Sequence, residues 1–201
     1  MSRLIIASNN AHKISEFKKM LTDIKVDLTV VPLRELGDNV PEIIEDGTTF
    51  EENATKKAMT IAQVAPNDYI LADDSGLSVD ALNGEPGVYS ARYAGDHNDE
   101  ANIDKVLDKL GDTSNRQAHF NSVLVLVGPN KPTLVTHGQI DGDITSQRRG
   151  NNGFGYDPIF FVPQFSKTFS ELTGEEKNKV SHRGLALQAL MAKLPRWLEG
   201  E

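Results

Sequence analysis

The sequence contains no cysteine, which excludes disulfide bonds, thiol catalysis and cysteine–zinc sites. It has no apolar run long enough to span a membrane, and the short run at residues 4–7 is unlike a secretion signal. Lys and Arg number 21 against 29 Asp and Glu, so the net charge of -8 argues against binding nucleic acid through a basic face. The composition therefore predicts a cytoplasmic protein with neither nucleic acid nor membrane as a partner.

Alternating apolar patterns predict an α/β protein in the 201 residues, of which 38% are hydrophobic. This length suits one large domain or two lobes on a shared sheet. Parallel units at the start and a hairpin at residues 128–131 favour an elongated mixed β-sheet flanked by helices. The predicted strands are 3–7, 28–33, 69–73, 77–82, 118–127, 133–141 and 158–162. The predicted helices are 13–24, 50–64, 99–110 and 174–192.

The apolar run at residues 69–72 ends in the acidic segment Asp73-Asp74-Ser75-Gly76. Open α/β sheets keep their chemistry at the ends of strands. If a turn begins here, the two carboxylates can converge on a divalent cation or on a water molecule to be activated. An ordinary polar turn after a buried strand explains the segment equally well.

The first strand–helix junction, residues 8–13, is a candidate phosphate site. Backbone N–H groups at a helix N-terminus attract anions, and Lys13 adds a positive charge. The segment lacks the spacing of a P-loop, and a capped helix with a surface lysine would look the same.

A glycine-rich stretch at residues 150–160 surrounds Phe154 and could expose its ring as a platform for a purine. Asp157 adds a carboxylate there, although core aromatics in a glycine-rich loop are the alternative. Lys177 and Arg183 lie close to two helical turns apart in the last predicted helix, so one face could present both to a nucleotide. A solvated charged helix face would share this pattern.

Six segments in this order resemble the inosine triphosphate pyrophosphatase family, also called Ham1-like proteins or XTP/dITP diphosphatases. They are SNNAHK at 8–13, GTTFEENA at 47–54, LADDSGL at 71–77, PGVYSARYAG at 86–95, GFGYDPIF at 153–160 and EEKNKVSHRG at 175–184. The resemblance covers essentially the whole chain and implies one domain over residues 1–201, two lobes with an active-site cleft between them, and a homodimer. The chain departs from the family at Ser8-Asn9, where many members carry Thr-Gly. It also has Glu45-Asp46 where members often have two glutamates, which leaves Glu45 as the expected metal ligand and Asp46 as an alternative.

The family implies hydrolysis of deaminated purine nucleoside triphosphates, ITP, dITP and XTP, to the monophosphate and pyrophosphate, with Mg²⁺ as cofactor. Asp74 matches the family's catalytic proton acceptor. The implied metal ligands are Glu45, Asp74 and Asp73. The implied phosphate contacts are Ser8, Asn9, Asn10, Ala11, His12, Lys13, Lys57 and Ser75. The implied nucleoside contacts are Phe154, Gly155, Tyr156, Asp157, Lys177, His182 and Arg183.

Donor and acceptor chemistry predicts the choice of base. The 6-oxo group of hypoxanthine or xanthine accepts a hydrogen bond from a donor such as His182 or Arg183, whereas adenine presents an amino donor there. Two other functions stay open: a nucleotide sensor without turnover, and a Maf-like pyrophosphatase acting on other modified nucleotides. The carboxylates disfavour the sensor, and the segments GFGYDPIF and SHRG favour purines.

Overall fold

The computed structural model describes residues 2–22, 28–96 and 98–199. Its seven-stranded sheet has the order β2-β1-β3-β4-β5-β6-β7, and α-helices flank it. The strands are β1 (Ser2–Ile6), β2 (Leu28–Pro32), β3 (Tyr69–Val79), β4 (Gln117–Val127), β5 (Leu134–Ile144), β6 (Phe160–Val162) and β7 (Lys167–Thr168). The α-helices of the described residues are α1 (Ala11–Thr22), α2 (Phe50–Val64), α3 (Asp99–Leu110), α4 (Gly174–Val180) and α5 (His182–Glu199).

The sheet is mixed, as the sequence predicts. Strand β1 pairs in parallel with β2 and with β3, whereas β6 pairs antiparallel with β5 and with β7. Residues 128–133 connect β4 to its neighbour β5 and are too few for a parallel crossover, so these strands form the expected hairpin.

The chain divides into two compact units, and the first comprises Met1–Asp74, Val123–His137 and Ala186–Glu201. Its apolar residues form two clusters. Ile70 and Ala72 of β3 belong to the cluster that contains the apolar face of α2, whereas Leu71 belongs to the cluster that contains Phe17 of α1 and Leu190 of α5. Successive β3 side chains therefore point to opposite faces of the sheet.

The second unit comprises Ser75–Ser122 and Gly138–Leu185. Its single core joins the apolar face of α3 to Leu77 of β3, Phe120 of β4 and Phe160 of β6. The side chain of Asn98 caps the start of α3, and Gly111 ends it with a φ of 47°. The predicted range 99–110 is confirmed. The sequence alone could predict it because both end signals are local.

Three predictions of local structure are corrected. The segment Asp73-Asp74-Ser75-Gly76 is not a turn but the middle of β3, which continues to Val79. The last predicted helix is two helices, because Ser181 has extended backbone angles and separates α4 from α5. Helix α1 starts at Ala11 rather than at residue 13, and residues 23–24 of the predicted helix lie outside the described residues.

The C-terminal helix α5 is long, but no helix in the described ranges is apolar enough over a sufficient length to cross a membrane.

Candidate functional site

The alternation of β3 sends the two adjacent carboxylates to different partners. Asp73 lies on the same face of the sheet as Leu71, and its Oδ2 lies 2.5 Å from Nζ of Lys13 on α1. Asp74 lies on the same face as Ile70 and Ala72, and its Oδ2 accepts a hydrogen bond from Asn53 on α2. Both carboxylates are buried, with 3% and 6% of the residue surface exposed. A strand, not a turn, therefore organises the acidic segment.

The junction before α1 contains the predicted phosphate loop, residues 8–13. Asn10 caps the helix, because its Oδ1 accepts from the backbone N–H groups of His12 and Lys13 at 3.0 and 3.1 Å. Ser8 Oγ accepts from the N–H of Asn10 at 3.2 Å. Asn9, Ala11 and His12 are exposed, and Lys13 brings its ammonium to Asp73 in the middle of β3. The structure thus joins the loop to the acidic segment, while Asn10 occupies two of the N–H groups expected to bind phosphate.

Lys57 is a buried lysine on the inner face of α2. Its ammonium donates to the backbone oxygen of Asp73 at 2.9 Å and lies 2.5 Å from Oε1 of Glu45. Asp46 instead forms an exposed ion pair with Lys56 at 2.5 Å. Of the two alternatives for a metal ligand, only Glu45 is held beside the lysine that contacts the acidic segment.

Asn53 lies one helical turn before Lys57 on the same face of α2 and is completely buried. Its Oδ1 accepts from the N–H of Gly47 at 2.7 Å, and its Nδ2 donates to Asp74 Oδ2 at 3.0 Å. A β-carbon at Gly47 would approach Asn53 Oδ1 to 2.7 Å, so this contact needs glycine. The loop that contains Glu45 is thereby tied to Asp74.

Burial raises the pKa of Asp74 to about 6, against an ordinary value of 3.8. The positive charges of Lys57 and Lys13 lower it, whereas the negative charge of Glu45 raises it further. A carboxylate with this pKa is mostly ionised at neutral pH and still accepts a proton readily. This combination suits a general base.

The predicted metal ligands are Glu45, Asp73 and Asp74. Among the residues that the structure describes, no group of three or more carboxylate or imidazole side chains is arranged to hold a metal ion. Glu45 and Asp73 each pair with a lysine instead. The donor chemistry nevertheless fits Mg²⁺, which prefers carboxylate oxygens. The charge of Glu45 opposes ionisation of the buried Asp74, and a cation would relieve this repulsion. The ligand set stays a prediction.

In the second unit, Phe154 of the glycine-rich loop lies near two cations. The Nζ of Lys177 and the Cζ of Arg183 each lie 5.0 Å from the centre of the Phe154 ring. Lys177 and Arg183 belong to different helices, so it is the loop and the break at Ser181, not helical periodicity, that bring them together. Both are about 95% buried, which excludes the alternative of a solvated charged face.

Asp157 connects the glycine-rich loop to Lys177. Its Oδ2 accepts from the N–H of Phe154 at 2.9 Å and pairs with Lys177 at 2.6 Å. Burial raises the pKa of Asp157, although the Lys177 ammonium acts in the opposite direction. Gly153 has a φ of 81°, and a β-carbon there would lie 2.0 Å from Asp157 Oδ2. The close approach of loop and carboxylate therefore requires glycine.

Ser75, the first residue of the second unit, accepts a hydrogen bond from Arg183 at 3.2 Å. Arg183 therefore contacts both the strand that carries the acidic segment and the ring of Phe154. The predicted phosphate contact Ser75 and the predicted base contact Arg183 lie together.

Two predicted nucleoside contacts lie in the core. Tyr156 is buried, donates from its hydroxyl to the backbone oxygen of Ser90 at 2.7 Å, and has a pKa raised by that burial. His182 is 1% exposed and stacks on Phe120 with ring centres 4.7 Å apart. Gly155 lies in the loop itself, and its N–H donates to Asp99 at 2.7 Å.

The sequence reasoning missed Asn53 as a site residue although it lies in the segment GTTFEENA at 47–54. The available signal was a polar residue one turn before Lys57 on a helix face that otherwise carries alanine and isoleucine. Asp99 was also missed, and no local pattern indicates that the first residue of α3 would contact Gly155.

Comparisons with known proteins identify the family. The model of the Ham1 family matches residues 4–193. The dITP/XTP pyrophosphatase of Leuconostoc mesenteroides subsp. mesenteroides is 68% identical over 201 residues, covering 99% of this chain and 100% of that protein. The dITP/XTP pyrophosphatase of Lactiplantibacillus plantarum is 50% identical over 196 residues, covering 96% and 95%.

Solved structures show the same fold. The Staphylococcus aureus Ham1 protein superposes with a TM-score of 0.86 at 47% identity, covering 96% of this chain and 98% of that chain. A HAM1 protein from Coxiella burnetii gives a TM-score of 0.88 at 42% identity, covering 98% and 100%. The resemblance carried by the six segments is thus confirmed over nearly the full length, and the chain belongs to the Ham1 family.

Proposed function

We propose that the protein hydrolyses the deaminated purine nucleoside triphosphates dITP, XTP and ITP to the monophosphate and pyrophosphate. The names of the relatives, dITP/XTP pyrophosphatases, support this substrate class. The observation that carries the proposal is the buried carboxylate of Asp74, whose pKa of about 6 is matched to proton acceptance near neutral pH, next to the charges of Lys13 and Lys57. A module that only bound nucleotides would gain nothing from a buried base.

The first unit would act on the triphosphate. Lys13 and Lys57 supply two positive charges at the end of the acidic segment, and Ser8, Asn10 and the start of α1 add polar groups. The ammonium groups of Lys13 and Lys57 pair with Asp73 and Glu45, respectively. Phosphate oxygens would compete for the same ammonium groups, and Lys13 would stabilise charge on the departing pyrophosphate.

In the proposed reaction, the oxygen of a water molecule forms a bond to the α-phosphorus. The bond between the α-phosphorus and the oxygen that bridges to the β-phosphate breaks, and pyrophosphate leaves with that electron pair. Asp74 accepts the proton from the water.

Mg²⁺ is part of the proposal, with Glu45, Asp74 and Asp73 as the residues that would hold it. When bound, the ion would supply charge neutralisation of the triphosphate and a Lewis acid for the reacting phosphate. The protein would act in the cytoplasm, where the nucleotide pool supplies its substrate. It would form a homodimer, as membership of the family suggests.

The second unit would act on the nucleoside. Phe154 offers a ring for stacking on the base, and the cations of Lys177 and Arg183 lie over that ring. Arg183 can donate to a 6-oxo group, and the neighbouring His182 is held by its stacking on Phe120. Adenine would place a donor against this donor, and leaving such groups unsatisfied costs about 1–3 kcal/mol each.

The test is a product assay with dITP, XTP, ITP, GTP and ATP. Purified protein with Mg²⁺ should release pyrophosphate from the first three and little from ATP, and excess chelator should stop the reaction. Guanine also presents a 6-oxo group, so the rate with GTP tests whether the protein reads C2 of the purine as well. Orthophosphate as the first product would contradict the proposed bond cleavage. Binding of dITP without turnover would favour the sensor, and turnover confined to modified pyrimidine nucleotides would favour the Maf-like alternative.

A further inference from the structure

We infer that Asn53 is a positioning residue for the reaction: it fixes the carboxylate of Asp74 relative to the loop that contains Glu45. Its amide has one contact on each side, to Gly47 and to Asp74. This inference rests on the proposed function for its meaning in catalysis, but the geometry belongs to the first unit alone.

The amide orientation follows from its neighbours. A backbone N–H can only donate, so the N–H of Gly47 must face Oδ1 of Asn53, at 2.7 Å. The NH₂ group then necessarily points to Asp74 Oδ2, at 3.0 Å. No other common side chain of this size presents an acceptor and a donor in this way. Aspartate would keep the first contact and lose the second.

The surroundings enclose the contact. Asn53 is completely buried, and the backbone of Gly47 lies so close that a β-carbon there would be 2.7 Å from Oδ1 of Asn53. Lys57, one turn along α2, contacts Glu45 and the backbone of Asp73. The same helix face therefore holds both carboxylate-bearing segments, and Asn53 supplies the neutral link between them.

Residues that orient a metal ligand or a base are worth a factor of about 10 to 100 in metal affinity or activity. We expect Asn53→Ala to lower kcat for dITP by about ten- to hundredfold, with KM changed less than about threefold. Without nucleotide, electron paramagnetic resonance should show Mn²⁺ bound about tenfold more weakly than by the native protein.

Asn53→Asp separates positioning of Asp74 from support of the loop. It retains the acceptor for Gly47 but places a carboxylate against Asp74. If Asn53 positions Asp74, kcat falls as far as in Asn53→Ala. A native kcat in Asn53→Asp would overturn the inference, because a carboxylate cannot donate to ionised Asp74. Since the added negative charge by itself disfavours ionised Asp74, a fall in kcat supports the inference only if the uncharged variant Asn53→Ala shows the same fall.

The matched control is Asn102 on α3, another buried amide that ties a loop to a helix. Its Oδ1 accepts from Ala94 and its Nδ2 donates to the backbone oxygen of Ala91, with no carboxylate at that donor. Asn102→Ala should lower the melting temperature comparably while leaving kcat and Mn²⁺ binding unchanged. Equal losses of kcat in Asn102→Ala and Asn53→Ala would reduce Asn53 to a structural residue.

A reciprocal exchange guards against misfolding as an explanation. In the double variant Asn53→Asp with Asp74→Asn, the amide at 74 donates to the carboxylate at 53, which still accepts from Gly47. The double variant should melt above Asn53→Asp by more than Asp74→Asn melts above the native protein, and it should remain inactive. Without that excess, the pair does not form this hydrogen bond and the inference is overturned. Should the native protein hydrolyse neither dITP nor XTP, the proposed function fails, while the Mn²⁺ and melting measurements still decide the role of Asn53.

Discussion

Replacing Asp74 by Asn should stabilise the protein at neutral pH while removing its activity. The folded protein raises the pKa of Asp74 from 3.8 to about 6, mainly through burial. At 1.36 kcal/mol per pH unit, ionised Asp74 therefore costs the folded state about 3 kcal/mol. Asn cannot ionise, and its oxygen can still accept from Asn53.

The sign follows from proton binding. Between pH 3.8 and about 6 the folded state holds more protons at Asp74 than the unfolded state, so stability falls as pH rises through this window and stays lower above it. The stabilisation by Asp74→Asn should be about 3 kcal/mol above pH 7 and less than about 1 kcal/mol at pH 4.

The assay is thermal unfolding of both proteins in chelator at pH 4 and at pH 8, since a bound cation would favour the ionised carboxylate. For a chain of this size, about 3 kcal/mol corresponds to roughly 6–12 °C in melting temperature at pH 8. Turnover of dITP by Asp74→Asn should fall at least on the order of a hundredfold. A variant that melts at or below the native temperature at pH 8 would refute the burial argument. A fully active variant would transfer the role of base to another carboxylate.

Three further predictions concern other parts of the site. Arg183→Ala should lower the ratio of kcat/KM for ITP to kcat/KM for ATP by roughly tenfold or more, whereas Lys13→Ala should lower kcat/KM for both substrates alike. Steady-state kinetics of the two variants test this, and an unchanged ratio in Arg183→Ala would assign the guanidinium to the phosphates. Gly153→Ala should lower the melting temperature and weaken nucleotide binding, because the new β-carbon would lie 2.0 Å from Asp157 Oδ2, and native-like behaviour in both assays would show that the loop can move away. Lys177→Met should lower the free energy of unfolding by about 3–5 kcal/mol at pH 8, because it leaves Asp157 as an unpaired buried charge. Chemical denaturation measures the loss, and adding Asp157→Asn should recover part of it.

Local sequence signals determined several elements of this fold. Helix α3 begins at an Asn cap and ends at a glycine with positive φ, and the structure has it at the predicted residues. The predicted helix 50–64 is confirmed as α2: Thr49 caps its start, and Glu52 accepts from the backbone N–H of Thr48 at 2.7 Å. Such signals act within one helical turn, so they can be recognised without knowledge of the rest of the chain.

Strand pairing and side-chain partners were decided by the tertiary structure. The segment Asp73-Asp74-Ser75-Gly76 consists of residues typical of turns but forms part of a strand, because its neighbours in the sheet extend β3 to Val79. Family resemblance selected Asp74, but strand alternation directs it towards α2 and Asn53. Lys177 and Arg183 reach Phe154 from two different helices, which Ser181 separates. The sequence alone thus determined the residue types of the site, whereas their pairing and the raised pKa of Asp74 depend on burial and on contacts between segments far apart in the chain.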